Sequence, residues 1–257
     1  MTSTNTADQV GDEPLLFKEK HPEIQVAVAE KRMEAIHRLV KEDSSQLVLL
    51  DDAYQHRYVQ RDINIQLTAL DNLFFQDYVL PMGRLRESRN GAQRADIIVV
   101  TKCSDKLDAD SIREAISKYS NAPVFFSYIK YADRIISAQD ELRLEDLKAK
   151  DVLLLSGIAK PQYFEDKLTP YLRAFDTKRF KDHYSFNSQD ILNLKSYLGQ
   201  SSNPIIITTE KDFMRLKDLN WTKEERTKIF YLPIEIDFLF DEKEAFNQLL
   251  QQKLDNR

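Results

Sequence analysis

Glycine is scarce in this sequence, which contains only five glycines among 257 residues. They are Gly11, Gly83, Gly91, Gly157 and Gly199. Phosphate-binding loops of the form G-x-x-x-x-G-K-[S/T] need two closely spaced glycines, because their backbone N–H groups must approach the phosphates. No two glycines of this chain have that spacing, so the 257 residues contain no such loop.

Disulfides, long apolar runs and basic charge are also lacking. The single cysteine, Cys103, cannot form an internal disulfide, which favours a reducing cytoplasm. No run approaches about 18 apolar residues, so no transmembrane helix is predicted, and the polar first residues are unlike a secretory signal. The net charge of −5 provides no basic field for a nucleic-acid backbone, so no nucleic-acid partner is expected.

Short apolar runs alternate with amphipathic stretches along the chain. Buried strands separated by helices predict an α/β fold with a mostly parallel sheet and helices on both faces. The predicted strands are 24–29, 47–50, 63–68, 96–101, 123–131, 152–155, 204–209 and 229–236. The predicted helices are 30–42, 110–119, 161–174, 188–198 and 242–254.

The domain organisation is predicted from a change of pattern near the middle of the chain. Residues 123–131 are rich in aromatics and alternate in polarity, which favours an antiparallel connecting ribbon over a buried parallel strand. The run V-L-L-L-S-G-I-A then begins a second α/β unit. We therefore predict an N-terminal α/β domain at 1–122, a linker ribbon at 123–150 and a C-terminal α/β domain at 151–257.

The sequence L-V-L-L-D-D at 47–52 reads as an apolar strand that ends in Asp51 and Asp52. Ligands of open parallel sheets bind beyond the carboxyl ends of the strands, and a carboxylate there can hold Mg²⁺ against phosphates. The alternative is a strand that leads into an ordinary turn, since aspartate favours turns.

Further polar residues follow this acidic pair. Gln55 and His56 come within one turn of it, and L-P-M-G-R-L-R-E supplies Arg86 and Glu87. Arginine can fork onto phosphate oxygens, and Glu87 is a candidate to complete a metal site. The alternatives are a solvated charged face for R-L-R-E and an ordinary hydrogen-bonded histidine at position 56.

A second candidate site combines two distant segments. Q-V-G-D-E-P at 9–14 is predicted to be a loop that presents Asp12, and R-F-K-D-H-Y at 179–184 presents His183 beside Asp182. A histidine next to a carboxylate can orient or relay a proton. A simple turn and a lone loop histidine are the alternatives, and sequence spacing does not show whether Asp12 and His183 meet.

Seven motifs in one order make the sequence resemble the tetraacyldisaccharide 4′-kinase family, from about residue 10 to beyond residue 212. They are G-D-E-P at 11–14, D-D-A-Y-Q-H at 51–56, L-P-M-G-R-L-R-E at 80–87, V-V-T-K at 99–102, S-G-I-A at 156–159, F-K-D-H-Y at 180–184 and T-T-E-K-D at 208–212. The resemblance implies a P-loop α/β domain joined by a two-stranded ribbon to a smaller α/β domain. It also implies transfer of the ATP γ-phosphoryl group to the 4′-hydroxyl of a tetraacyldisaccharide 1-phosphate in lipid A biosynthesis, as a peripheral protein on the cytoplasmic face of the bacterial inner membrane.

The resemblance also assigns roles to the candidate residues. Asp12 matches the acid that takes the proton of the sugar hydroxyl, and His183 matches the histidine that assists it. The cofactors implied are ATP and Mg²⁺, with Asp52 and Glu87 near the metal ion. The residues placed beside the nucleotide are Asp51, Gln55, His56 and Arg86.

Several positions depart from the family pattern. Ala53, Met82 and Ser88 stand where the family usually has glycine, alanine and proline. More seriously, the glycine-rich phosphate loop that the family carries upstream of G-D-E-P is not in the sequence. We therefore expect a shortened chain with little kinase activity by itself. The alternatives are a catalytically dead homologue that still binds the lipid sugar, or a Mg²⁺-dependent phosphohydrolase that uses Asp51, Asp52 and Glu87.

Overall fold

The chain divides into two units, neither of which is a continuous segment. A computed structural model describes residues 7–41, 45–104, 106–182 and 184–256. Unit 1 consists of Met1–Gln46 and Tyr131–Ile234, and unit 2 of Leu47–Lys130 and Glu235–Arg257. This division differs from the predicted boundaries, because residues before 47 belong with the later half of the chain. Leu15, for example, is buried in the same core as Leu153, a long-range contact that local sequence pattern does not encode.

Helices and strands alternate as predicted, and the α/β class is confirmed. The helices are α1 (Ala7–Val10), α2 (Asp12–Lys20), α3 (Arg32–Lys41), α4 (Ala109–Ser117), α5 (Gln162–Leu168), α6 (Ser188–Gln200), α7 (Glu210–Leu216), α8 (Lys223–Arg226) and α9 (Lys243–Asp255). The strands are β1 (Ile65–Ala69), β2 (Ile97–Thr101), β3 (Val124–Tyr131), β4 (Arg134–Ile136), β5 (Glu141–Arg143), β6 (Asp151–Ser156), β7 (Phe175–Arg179), β8 (Pro204–Thr209), β9 (Ile229–Leu232) and β10 (Ile234–Phe238). Within the described ranges, no helix has both the length and the apolar character that crossing a membrane requires.

Unit 1 is built on a six-stranded sheet in the order β5-β4-β9-β8-β6-β7. Strands β7, β6, β8 and β9 run parallel, whereas β4 pairs antiparallel with β9 and with β5. Successive side chains of β6 face two different cores, with Leu153 and Leu155 in one and Val152 and Leu154 in the other. Because both faces are covered, this central strand is a continuous apolar run, as expected for a parallel sheet.

Unit 2 is built on a four-stranded sheet in the order β1-β2-β3-β10. The connecting ribbon predicted at 123–131 is wrong for its first half, since β3 pairs in parallel with β2, with Val99 opposite Phe125. Phe126 and Phe125 of β3 are buried in two different cores, Phe126 with Ile116 of α4 and Phe125 with Phe246 of α9. The alternation that resembled a ribbon therefore reflects two apolar cores.

Two predicted strands do not form. Residues 24–29 and 47–50 carry the apolar pattern, yet neither segment has regular secondary structure. The side chains of Leu47 and Leu49 are 68% and 89% exposed. A strand is stabilised by ladder hydrogen bonds to a neighbour, and among the described residues β1 pairs along one side only, with β2. The apolar pattern alone was therefore not sufficient.

Pro233 divides the strand predicted at 229–236 into two strands. Residues before Pro233 form β9 in the sheet of unit 1, and residues after it form β10 in the sheet of unit 2. Proline has no N–H to donate to a ladder, so it interrupts a strand where the chain passes from one sheet to another.

The central strand of unit 1 provides a test of this core. Leu155 is fully buried, so Leu155→Ala should lower the free energy of unfolding by about 2–5 kcal/mol. Leu192→Ala, at an exposed position of α6, should change it by less than about 0.5 kcal/mol. Urea unfolding followed by fluorescence of Trp221, the sole tryptophan and part of the same core, measures both. Equal midpoints for the two variants would contradict the assignment of Leu155 to the core.

Candidate functional site

In unit 2, the predicted pair Asp51 and Asp52 lies in a turn, and the strand predicted before it does not form. Asp52 has a φ of 45°, in the left-handed region that aspartate tolerates better than most residues. Arg86 forks onto its carboxylate, with Nη1 donating to Oδ2 at 3.2 Å and Nη2 donating to Oδ1. The hydrogen bond to Asp52 raises the pKa of Arg86. The structure thus brings together two residues that lie 34 positions apart.

Glu87 is the centre of a second charged group in unit 2. Its carboxylate accepts hydrogen bonds from Gln55 Nε2 at 3.1 Å, from Arg57 Nη2 at 2.8 Å and from Arg94 Nη2 at 2.7 Å. Burial raises the pKa of Glu87, but the hydrogen bonds from Arg94, Arg57 and Gln55 outweigh it, so the pKa lies below its ordinary value. Glu87 is therefore ionised at neutral pH and holds two guanidinium groups in place.

The backbone near Glu87 is shaped to admit its carboxylate. A Cβ at Gly91 would lie 2.7 Å from Glu87 Oε2, so a larger residue there would displace the acid. The Tyr54 hydroxyl donates to the carbonyl of Gly91 at 2.9 Å, and the Arg94 guanidinium stacks over the Tyr54 ring at 4.9 Å. Tyr54, Arg57 and Arg94 were not predicted, and no periodicity singles them out, since Arg94 ends a short 3-10 helix.

Oxygen donors suited to Mg²⁺ occur in the segment from Asp51 to Gln55. Besides the two aspartates, Gln55 Oε1 is buried with no hydrogen-bond partner among the described residues. Mg²⁺ commonly binds through one or two carboxylates, with water and phosphate oxygens completing the octahedron, so these donors fit the ion. Both Asp52 and Glu87 are engaged by guanidinium groups in this structure. Within the described part of the chain, no cluster of three or more His, Cys, Asp or Glu side chains could hold a metal ion.

His56 takes no part in the hydrogen bonds around Asp52 and Glu87 described above. Its ring lies edge-on to Tyr58, with 6.0 Å between the ring centroids, and its backbone N–H donates to the carbonyl of Ala53 at 2.9 Å. Its proposed place beside a nucleotide stays a prediction.

In unit 1, Asp12 is the first residue of α2 and not part of a loop, so that prediction is wrong. Gly11, with a φ of 90°, separates α1 from α2. Acidic residues stabilise the first turn of a helix, and Pro14 is tolerated there because the N–H groups of that turn have no partner within the helix. The side chain of Asp12 is 12% exposed and pairs with Arg215 Nη2.

Arg215 also contacts Asp212, the last residue of the T-T-E-K-D motif. Its Nη1 donates to Asp212 Oδ1 at 3.1 Å, while Oδ2 of the same acid accepts from the Gly157 N–H at 2.8 Å and the Thr209 hydroxyl at 2.7 Å. Burial raises the pKa of Asp212, and the hydrogen bonds from Gly157 and Thr209 and the charge of Arg215 oppose the shift. His183, the predicted partner of Asp12, lies outside the described residues.

The family model described as tetraacyldisaccharide-1-P 4′-kinase matches residues 1–255. Proteins named tetraacyldisaccharide 4′-kinase from Flavobacterium psychrophilum and Bacteroides thetaiotaomicron are 43% and 38% identical to this chain. Each alignment covers 96% of this chain, and 71% and 70% of the respective relative.

A solved structure provides a comparison of the fold. A crystal structure of LpxK from Aquifex aeolicus in complex with ATP superposes with a TM-score of 0.72 at 23% identity. The match covers 97% of this chain and 71% of that chain. At this level of identity, the likeness confirms the α/β fold and no more.

The charge of Glu87 should make the stability of unit 2 depend on pH. Its pKa is lower in the folded chain than the ordinary value of 4.5, so its contribution is complete above that value and is lost as pH falls through the folded-state pKa. At neutral pH, Glu87→Gln should lower the free energy of unfolding of unit 2 by about 1–3 kcal/mol, and this loss should become smaller in acid. Amide hydrogen exchange of residues 97–101 in β2, corrected for intrinsic rates, measures this.

Glu114→Gln is the matched control, since Glu114 is exposed on α4 of the same unit. Glu114→Gln should leave the free energy of unfolding of unit 2 unchanged at every pH. A cost for Glu87→Gln that stays constant from neutral to acid pH would contradict the role of its charge.

Proposed function

The chain belongs to the tetraacyldisaccharide-1-P 4′-kinase family, and we propose that it acts on the lipid acceptor of that reaction, a tetraacyldisaccharide 1-phosphate. The reaction transfers the γ-phosphoryl group of ATP to the 4′-hydroxyl in lipid A biosynthesis. The observation that carries the proposal is the family match over residues 1–255, which includes every residue of both candidate sites. Because the acceptor is acylated, the chain is proposed to act as a peripheral protein at the cytoplasmic face of the bacterial inner membrane.

Asp12 is the proposed proton acceptor for the sugar hydroxyl. Phosphoryl transfer depends on positioning and charge neutralisation more than on covalent chemistry by the protein. A carboxylate within hydrogen-bond reach of the hydroxyl takes its proton as the bond to phosphorus forms. The contact with Arg215 supports this role, because it fixes the direction of the Asp12 carboxylate. His183 is proposed to assist Asp12, as in the family.

The turn around Asp52 is proposed to face the phosphates of ATP. Asp51, Asp52 and Gln55 offer oxygen ligands for Mg²⁺. His56 lies in the same D-D-A-Y-Q-H motif, and Arg86 lies in the L-P-M-G-R-L-R-E motif. When bound, the ion would neutralise charge on the transferred phosphoryl group. The fork of Arg86 suits phosphate oxygens as well as the carboxylate it now holds. Glu87 remains a proposed ligand, although guanidinium groups engage it here.

The 257 residues by themselves are proposed not to turn over ATP. They lack the G-x-x-x-x-G-K-[S/T] loop, and a guanidinium group cannot replace a set of backbone N–H groups that surrounds the phosphates. A second candidate function is that of a homologue that binds the lipid sugar without catalysis. A Mg²⁺-dependent phosphohydrolase that uses Asp51, Asp52 and Glu87 is the remaining alternative.

Acceptor binding and phosphoryl transfer should therefore separate in this chain. The purified chain should bind tetraacyldisaccharide 1-phosphate in detergent micelles. With labelled ATP and Mg²⁺, it should form product at least about 100-fold more slowly than the Flavobacterium psychrophilum relative. Product at the rate of that relative would contradict the proposed lack of turnover, and absence of acceptor binding would contradict the acceptor role. Hydrolysis of simple phosphate esters without nucleotide would support the phosphohydrolase.

A fusion tests the role of Asp12 directly. The phosphate-loop segment of the Flavobacterium psychrophilum relative, joined before residue 1, should confer kinase activity. In that fusion, Asp12→Asn should lower kcat by about 100-fold or more and leave acceptor binding unchanged. Glu13→Gln, one residue further along the same helix turn, is the matched control and should keep kcat. Equal kcat values for the two variants would rule out Asp12 as the proton acceptor.

A further inference from the structure

Helices α2 and α7 of unit 1 are joined by a strip of four ion pairs. Each pair links a residue near the start of the chain to one about 190–200 positions later, and all lie within the same unit. The pairs are Asp12–Arg215, Glu13–Lys211, Glu19–Lys217 and Lys20–Glu210. The strip therefore connects α2 to α7 at several points, and the Asp12–Arg215 pair is the one that includes the proposed proton acceptor.

One pair of the strip differs from the others by its burial. The side chains of Arg215 and Asp12 are 10% and 12% exposed, whereas Lys217 and Glu19 are 22% and 47% exposed. A guanidinium group stays charged when buried, so a buried arginine needs anionic partners. Arg215 has two, since it bridges Asp12 and the fully buried Asp212.

Asp212 is fixed by groups that cannot move independently of the sheet. The Gly157 N–H directly follows β6, and Thr209 ends β8 and caps α7. A Cβ at Gly157 would lie 3.0 Å from Asp212 Oδ1, which makes the approach of this acid to the backbone tight. The carboxylate is thus attached to the ends of two central strands, and Arg215 extends that attachment to Asp12.

The guanidinium group of Arg215 contacts both acids at once. Its Nη2 donates to Asp12, and its Nη1 donates to Asp212. Asp212 can therefore hold one nitrogen of Arg215 while the other nitrogen orients the Asp12 carboxylate. The more exposed Glu19–Lys217 pair has no such third member among the four ion pairs of the strip.

We propose that Arg215 and Asp212 are positioning residues for Asp12, with Asp212 holding Arg215 and Arg215 holding the Asp12 carboxylate in its reactive direction. The inference rests on the proposed role of Asp12 as proton acceptor. A purely structural link between α2 and α7 would predict the same loss from any ion pair of the strip. A positioning role predicts that the state of the Asp12 carboxylate responds to Arg215 and Asp212 and not to Lys217.

The test uses the 257-residue chain, with aspartate labelled by ¹³C at the side-chain carboxyl carbon. Asp12→Asn identifies the resonance of Asp12. Arg215→Met should shift that resonance because the carboxylate loses its guanidinium donor, and Asp212→Asn should shift it to a smaller extent. Lys217→Met, the matched control from the same strip, should leave it in place. An unshifted Asp12 resonance in Arg215→Met, or an equal shift in Lys217→Met, overturns the proposal.

Two additions keep the test decisive. If circular dichroism shows that Arg215→Met is unfolded, Arg215→Lys provides the test. Lysine keeps the charge but loses the fork, so the Asp12 resonance should lie between its positions in the unaltered chain and in a chain without the Arg215 contact. In the active fusion, Arg215→Met should lower kcat at least several-fold with an unchanged KM for the acceptor, and Arg215→Lys should restore part of it. A fusion that is inactive in unaltered form would count against the proposed function, whereas the carboxyl resonance still decides the positioning role.

Discussion

A carboxylate removed from water must find replacement donors, and this requirement organises both candidate sites. In unit 2, Glu87 obtains them from Arg57, Arg94 and a glutamine amide. In unit 1, Asp212 obtains them from a backbone N–H, a hydroxyl and Arg215. Each acid then fixes an arginine. Because guanidinium groups are planar and always charged, an arginine fixed in this way presents its remaining donors in a defined direction.

The same constraint links the fold to the proposed chemistry. Phosphoryl transfer is accelerated by charges that are already in place when the phosphoryl group moves. The sheet of unit 1 supplies such a fixed frame for Asp12 through Asp212 and Arg215. In unit 2, the turn at Asp51–Asp52 offers carboxylates and Arg86 on a surface that is still open to solvent. An open turn suits a site that must admit a charged nucleotide.

Sequence pattern and structure agree where local burial decides the outcome. The strands β2, β6 and β8 were predicted within one residue at each end, because apolar runs covered on both faces leave a clear signal. The polar strand β7 was missed, since an exposed edge strand lacks that signal. Residues 47–50 were predicted as a strand from their apolar character. A strand also needs a neighbouring strand for its hydrogen bonds, and the sequence of the segment does not show whether such a neighbour exists.

The sequence by itself determined the family, the α/β class and the candidate acids of both sites, because ordered motifs and alternating apolar runs are local properties of a chain. Only the tertiary structure decided that Asp12 begins a helix, that Glu87 is enclosed by guanidinium groups and that Arg215 meets an acid 203 positions away. Charged side chains have no periodicity that identifies their partners. Which acid meets which arginine depends on how the sheet brings distant segments together, and burial then makes that pairing obligatory.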